Sequence, residues 1–121
     1  RNKKICFLGV TFKANTDDMR DSSCLSMIPS LVKKGAKINY FDPTGKKNDF
    51  NKIKNVTFSN DVKSAIAKAD LIIIHTEWND FKSINFKKDV KNKNYKIFDM
   101  RNIYSLKKMK EQKIKYFAIG C

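Results

Sequence analysis

The residues able to do chemistry fall just after a series of short apolar runs. Phe12 and Lys13 follow the run at 5–10, and Asp42-Pro43 follows 37–41. Thr76, Glu77 and Trp78 follow the run that closes at His75, and Arg101 follows 96–99. If each run is a strand of an open parallel sheet, these residues share one rim, because such sheets bind ligands at the carboxyl ends of their strands. Two cations, an aromatic and a hydroxyl on one rim suit an anionic small molecule with a planar group, such as a nucleotide. Lys13 offers a point charge and Arg101 a fork that pairs bidentately with oxygens. Arg20 lies among Asp17, Asp18 and Asp21. Those acids could form a metal site or a general base, but loop pairing beside a helix start explains them more simply. The sequence assigns no catalytic residue and no metal ligands.

What the first turn lacks is also informative. Gly9-Val10-Thr11-Phe12-Lys13-Ala14-Asn15-Thr16 is neither G-x-G-x-x-G nor G-x-x-x-x-G-K-[ST]. A backbone cradle for a pyrophosphate needs those glycines, so the chain is expected neither to bind a dinucleotide unaided nor to hydrolyse ATP. The three cysteines show no C-x-x-C and no His in a metal spacing. Cys6 and Cys24 read as buried apolar thiols in a reducing cytosol, and Cys121 as a terminal thiol. His75 reads as a packed or hydrogen-bonded strand-end residue.

The elements that must position these residues alternate in type. Residues 5–10, 37–41, 56–58, 71–75, 96–99 and 116–119 are short, mostly apolar and strand-like. Between the first two, Cys24, Leu25, Ile28, Leu31 and Val32 recur at helical spacing, with Ser22 as a cap and Gly35 at the left-handed end. Pro29 inside this helix predicts a kink. Asn60 is expected to cap a helix carrying Val62, Ala65, Ile66 and Ala69, residues 85–91 a short helix, and Ser105 a last helix to about residue 112. Residues 44–55 read as a Lys/Asn-rich loop. The alternation predicts a Rossmann-like three-layer α/β/α domain with a mainly parallel sheet of about six strands.

The 121 residues suit one domain, and 41% apolar content supports a modest core. Net charge is +14, which by itself suggests a polyanion partner. Only three of the 26 cationic residues are Arg (Arg1, Arg20, Arg101), and the Lys are spread along the chain among many Asn. Nucleic-acid readers lean on Arg, so the charge reads mainly as solvated surface. No run is long enough to span a membrane. The abrupt start at Arg1, straight into a strand, suggests a piece of a longer protein.

Four segments match a known family's signatures in the correct order. Gly9 through Ser22 resembles G-[LV]-[AT]-F-K-x-x-T-D-D-x-R-[ED]-S of the C-terminal domain of the UDP-glucose/GDP-mannose dehydrogenases. Ala69-Asp70 through Phe81 resembles that family's A-D-x(5)-T-E-W-x-x-F, which is more typical of its UDP-glucose branch. Phe98 through Tyr104 resembles F-D-G-R-N-[IV]-Y, with Met100 in place of Gly, and Tyr116 through Gly120 resembles Y-x-x-I-G. The family normally has no proline at the position of Pro29.

The resemblance implies that residues 1–121 are a UDP-sugar-binding domain, with the NAD-binding and central domains outside this chain. The parent would oxidise C6 of UDP-glucose to the carboxylate with two NAD+, through an upstream cysteine. Phe12, Lys13 and Arg101 would contact the UDP-sugar, Arg101 often from a neighbouring subunit, and Arg20 would contact NAD. The expected setting is cytoplasmic, with a homodimer or higher oligomer and no nucleic-acid or membrane partner. Two other readings stay open: a basic nucleotide- or nucleic-acid-binding module without catalytic role, and a dehydrogenase of the same family acting on another nucleotide sugar.

Overall fold

The computed structural model describes residues 3–11, 19, 22–76, 78, 81–82, 84–92, 94–100, 104, 106–111 and 114–118. Six strands alternate with helices: β1 (Lys4–Leu8), α1 (Cys24–Lys33), β2 (Lys37–Phe41), β3 (Val56–Phe58), α2 (Val62–Ile66), β4 (Leu71–Ile74), α3 (Phe86–Asp89), β5 (Lys96–Asp99), α4 (Leu106–Glu111) and β6 (Lys115–Ala118). They form one sheet, all parallel, in the order β3-β2-β1-β4-β5-β6. That is the strand order of the doubly wound α/β fold.

Strand side chains alternate between the faces, as their period of two requires. Cys6, Leu8, Ile72, Ile74 and Ile97 enter one core cluster, covered by α2, α3 and α4 through Ala65, Ile66, Phe86 and Met109. Ile5, Phe7, Ile38, Tyr40 and Ile73 enter the other, covered by α1 through Cys24 and Ile28. The first three strands are thus linked on one face and the last three on the other. Progress across the sheet reverses between β1 and β4, the switch point beside which such folds bind their ligands.

Several local expectations are corrected. The cap of α2 is Asp61, not Asn60: Asp61 has the extended backbone of an N-cap and its carboxylate accepts from Ser64 N at 2.7 Å. The stretch expected to be only loop contains a 3₁₀ turn, Asn48–Phe50, fixed by burial of Phe50 edge-on to Tyr40 at 5.3 Å. β1 stops at Leu8, since Gly9 turns to φ +80, and β4 stops before His75. β6 begins one residue early, at Lys115; residue 119 and the expected cap Ser105 lie outside the described residues. α1 continues through Pro29 and closes at Gly35, φ +95.

Candidate functional site at the carboxyl edge

Beyond β1, the chain leaves the sheet under several restraints. Gly9 N donates to Phe41 O at 2.8 Å, and Val10 N donates to Asp42 Oδ2 at 2.9 Å. Asp42 is buried, and its other oxygen accepts from Thr44 N at 2.9 Å and Thr44 Oγ1 at 2.6 Å. A buried carboxylate is stable only when so satisfied. Ser22 pins the far end of the same loop: its hydroxyl donates to Val10 O and accepts from Cys24 N at 3.2 Å. Ser22 therefore serves the start of α1, although Ser23 occupies the N-cap position without capping.

The end of β4 is locked onto the end of β1. His75 N donates to Leu8 O at 3.0 Å, and Thr76 Oγ1 donates to Thr11 O at 2.8 Å. A Cβ built on Gly9 would stand 2.6 Å from Thr76 Cβ, so the two chain segments meet where only glycine fits. His75 is buried, with Nε2 2.8 Å from Ser23 Oγ and Nδ1 3.2 Å from Thr76 Oγ1. Since the Thr76 proton goes to Thr11 O, Thr76 Oγ1 accepts from the His75 Nδ1–H. The histidine thus ties β4 to α1.

A second buried carboxylate closes β5. Asp99 Oδ2 accepts from Tyr116 OH at 2.6 Å and from Tyr104 N at 3.2 Å. Tyr104 donates through its hydroxyl to Phe81 O, and burial pushes its pKa well above the ordinary value. Met100, the residue in place of the family's glycine, donates through N to Ile74 O at 3.0 Å and packs its side chain against the α1-side core. The fold absorbs the larger side chain there.

Phe12, Lys13, Arg20 and Arg101 all lie outside the described residues, as do Asp17, Asp18, Asp21 and Glu77. What is placed is the ends of their loops. The segment with Phe12, Lys13 and Arg20 runs between Thr11 and Ser22, and Arg101 lies between Met100 and Tyr104, at the ends of strands β1 and β5 on either side of β4.

Sequence reading missed the work of Asp42, Asp99, Ser22 and Tyr104 in clamping these loops. The only local sign was a carboxylate at a strand end. Trp78, expected as an aromatic on the rim, is instead buried in the core on the α2–α4 face. Its indole Nε1 has no hydrogen-bond partner. Thr76 is buried too, its hydroxyl bonded internally.

Cys6 and Cys24 are buried free thiols. Burial pushes the Cys24 pKa up to about 12 and that of Cys6 higher still, so neither is a nucleophile at neutral pH. Among the described residues no cluster of three or more His, Cys, Asp or Glu could hold a metal ion.

NAD, the cofactor implied by the family, finds no dinucleotide cradle among the described residues. At the switch point the ends of β1 and β4 meet through the Gly9–Thr76 contact and the Thr76–Thr11 hydrogen bond.

A doubly wound parallel sheet with clamped loops at its switch point defines a nucleotide-binding type of α/β domain. The profile of the UDP-glucose/GDP-mannose dehydrogenase family, UDP binding domain, matches residues 6–106, and the chain belongs to this family. A UDP-glucose 6-dehydrogenase of Rhizobium meliloti is 37% identical over 121 residues, which is 99% of this chain and 28% of that relative. The Caenorhabditis elegans UDP-glucose 6-dehydrogenase is 33% identical, over 98% of this chain and 27% of that protein. The chain thus spans little more than a quarter of these relatives.

Among solved structures, a UDP-glucose dehydrogenase from Pyrobaculum islandicum superposes with TM-score 0.73 at 25% identity, covering 97% of this chain and 25% of that one. An NDP-N-acetyl-D-galactosaminuronic acid dehydrogenase from Methanosarcina mazei superposes at 0.82 with 22% identity, over 98% and 25%, and so shares the fold.

Proposed function

We propose that residues 1–121 are the C-terminal, UDP-sugar-binding domain of an enzyme that oxidises UDP-glucose to UDP-glucuronate. The family match across residues 6–106 carries this reading, and relatives named UDP-glucose 6-dehydrogenase align over almost the whole chain. In this reading Phe12, Lys13 and Arg101 hold the UDP-sugar. The clamps at Thr11, Ser22, Met100 and Tyr104 fix where their loops start and end. Lys13 supplies a point charge for the diphosphate and Arg101 two parallel hydrogen bonds. Prepositioned loop ends lower the ordering cost of binding.

Oxidising the C6 alcohol to the carboxylate removes four electrons and takes up one water, which requires two NAD+. NAD would sit mainly on the absent N-terminal domain, with Arg20 reaching it, and the nucleophilic cysteine would also lie outside this chain. The parent would be a cytoplasmic homodimer or higher oligomer. Among the described residues no helix is long and apolar enough to cross a membrane.

Calorimetric titration of the chain with UDP, UDP-glucose, NAD+ and a short RNA, at low and high salt, tests the reading. Binding of UDP and UDP-glucose with a shallow salt slope, without NAD+, is expected. Steeply salt-dependent RNA binding with no uridine nucleotide binding would overturn it.

A further inference from the structure

The lysines that look scattered in sequence are concentrated by the fold. Four of the six strands open with Lys: Lys4, Lys37, Lys96 and Lys115. Lys4 is the register partner of Lys37, and Lys96 of Lys115. Like charges set side by side across strands destabilise a sheet. α2 and α3 end near the same amino edge, bringing Lys68 and Lys91 beside this row. Cations just past helix C-termini answer the helix dipole, but the strand-opening lysines have no such explanation.

Three hollows run along this edge and merge through shared walls. One of about 510 Å³ is lined by Lys4, Lys37 and Lys68. The next, about 320 Å³, shares Lys4 and Lys68 and adds Lys91. The third, about 280 Å³, shares Lys91 and adds Lys87 and Lys115. Together they form a trough from β2 to β6, about 19 Å across four inter-strand gaps. All six lysines are exposed.

Among the described residues the one carboxylate lining the trough, Asp70, is already engaged. It accepts from Lys4 N at 2.9 Å and Asn92 Nδ2 at 2.5 Å, and the Lys4 backbone bond holds its pKa below the usual range. The Tyr95 hydroxyl, at the third hollow, is buried and has no hydrogen-bond partner.

We infer that this trough binds a linear inorganic polyphosphate. A row of point charges reads charge density along a flexible chain. Single-stranded nucleic acid fits less well, because among the described residues Tyr95 is the only aromatic in the lining, and one ring offers no run of stacking platforms. The trough lies at the sheet edge opposite the UDP-sugar loops, so this inference does not depend on the function proposed above.

The test is a binding titration of the full-length protein with a defined polyphosphate, and with RNA of matched charge, at about 0.15 M ionic strength. The variant Lys4→Gln/Lys68→Gln/Lys91→Gln is compared with the control Lys46→Gln/Lys63→Gln/Lys107→Gln, which removes equal charge away from the trough. All six positions are exposed, and melting temperature checks that both variants fold. We expect polyphosphate affinity to fall roughly tenfold or more in the trough variant and less than about twofold in the control. Equal losses in the two variants, RNA binding as tightly as polyphosphate, or no polyphosphate binding would each overturn the inference.

Discussion

At the residue scale, the carboxyl edge depends on a few contacts that tolerate no substitution. Gly9 combines φ +80 with a Cβ position 2.6 Å from Thr76 Cβ and 2.8 Å from its hydroxyl oxygen. Gly9→Ala must both strain the backbone and push apart the ends of β1 and β4. It is expected to lower unfolding free energy by about 3 kcal/mol, read by urea denaturation. A loss below about 1 kcal/mol would mean that the two segments are not held together. The buried thiols give a second check. With the Cys24 pKa at about 12 and Cys6 sealed in the core, both should resist alkylation at pH 8 in the native protein and react only after denaturation. Fast native labelling of either, read by mass spectrometry, would contradict their burial.

At the element scale, α1 carries a defect and the sheet carries an acid-sensitive tie. Pro29 has no N–H to offer the Leu25 carbonyl one turn earlier, and its ring crowds that carbonyl. Pro29→Ala is expected to raise stability by about 1–2 kcal/mol, seen as a higher melting temperature, unless the proline's restriction of the unfolded chain outweighs the restored bond.

Asp70 joins the start of β1 to the start of β4, and its folded pKa is lowered chiefly by the Lys4 backbone bond. A depressed carboxylate stabilises above its unfolded pKa, about 3.9, and loses that contribution as pH falls through the lower folded value. The cap Asp61 has the same sign, through Ser64 N. Stability should therefore decline below about pH 4, and less steeply in Asp70→Asn. Parallel acid profiles for wild type and variant would show that the tie contributes nothing.

At the scale of the whole molecule, one sheet separates two chemistries. The carboxyl edge holds the buried carboxylates Asp42 and Asp99 under the loops of the proposed sugar-nucleotide site, while the amino edge collects lysines. In the full-length enzyme, Lys13→Ala and Arg101→Ala should each reduce kcat/KM for UDP-glucose by the equivalent of about 1.5–3 kcal/mol, the range for hydrogen bonds to charged groups. Wild-type steady-state kinetics in both variants would remove these residues from the site.

The sequence by itself determined the strands, the order of elements and the family, because these rest on local features. Runs of apolar residues such as Leu71-Ile72-Ile73-Ile74 declare strands buried on both faces, and Gly35 declares a helix end. The loops that carry Phe12, Lys13 and Arg101 were legible as motifs. What held those loops was not: the bonds from Asp42 to Val10, Thr76 to Thr11 and Tyr116 to Asp99 join residues 32, 65 and 17 positions apart. A strand-end aspartate looks the same in sequence whether it faces water or a buried amide. Trp78 likewise read as a rim aromatic until the core claimed it. Only the tertiary structure decided that lysines far apart in the chain, Lys4 with Lys37 and Lys96 with Lys115, open neighbouring strands, since register between strands is set by long-range pairing and not by local sequence.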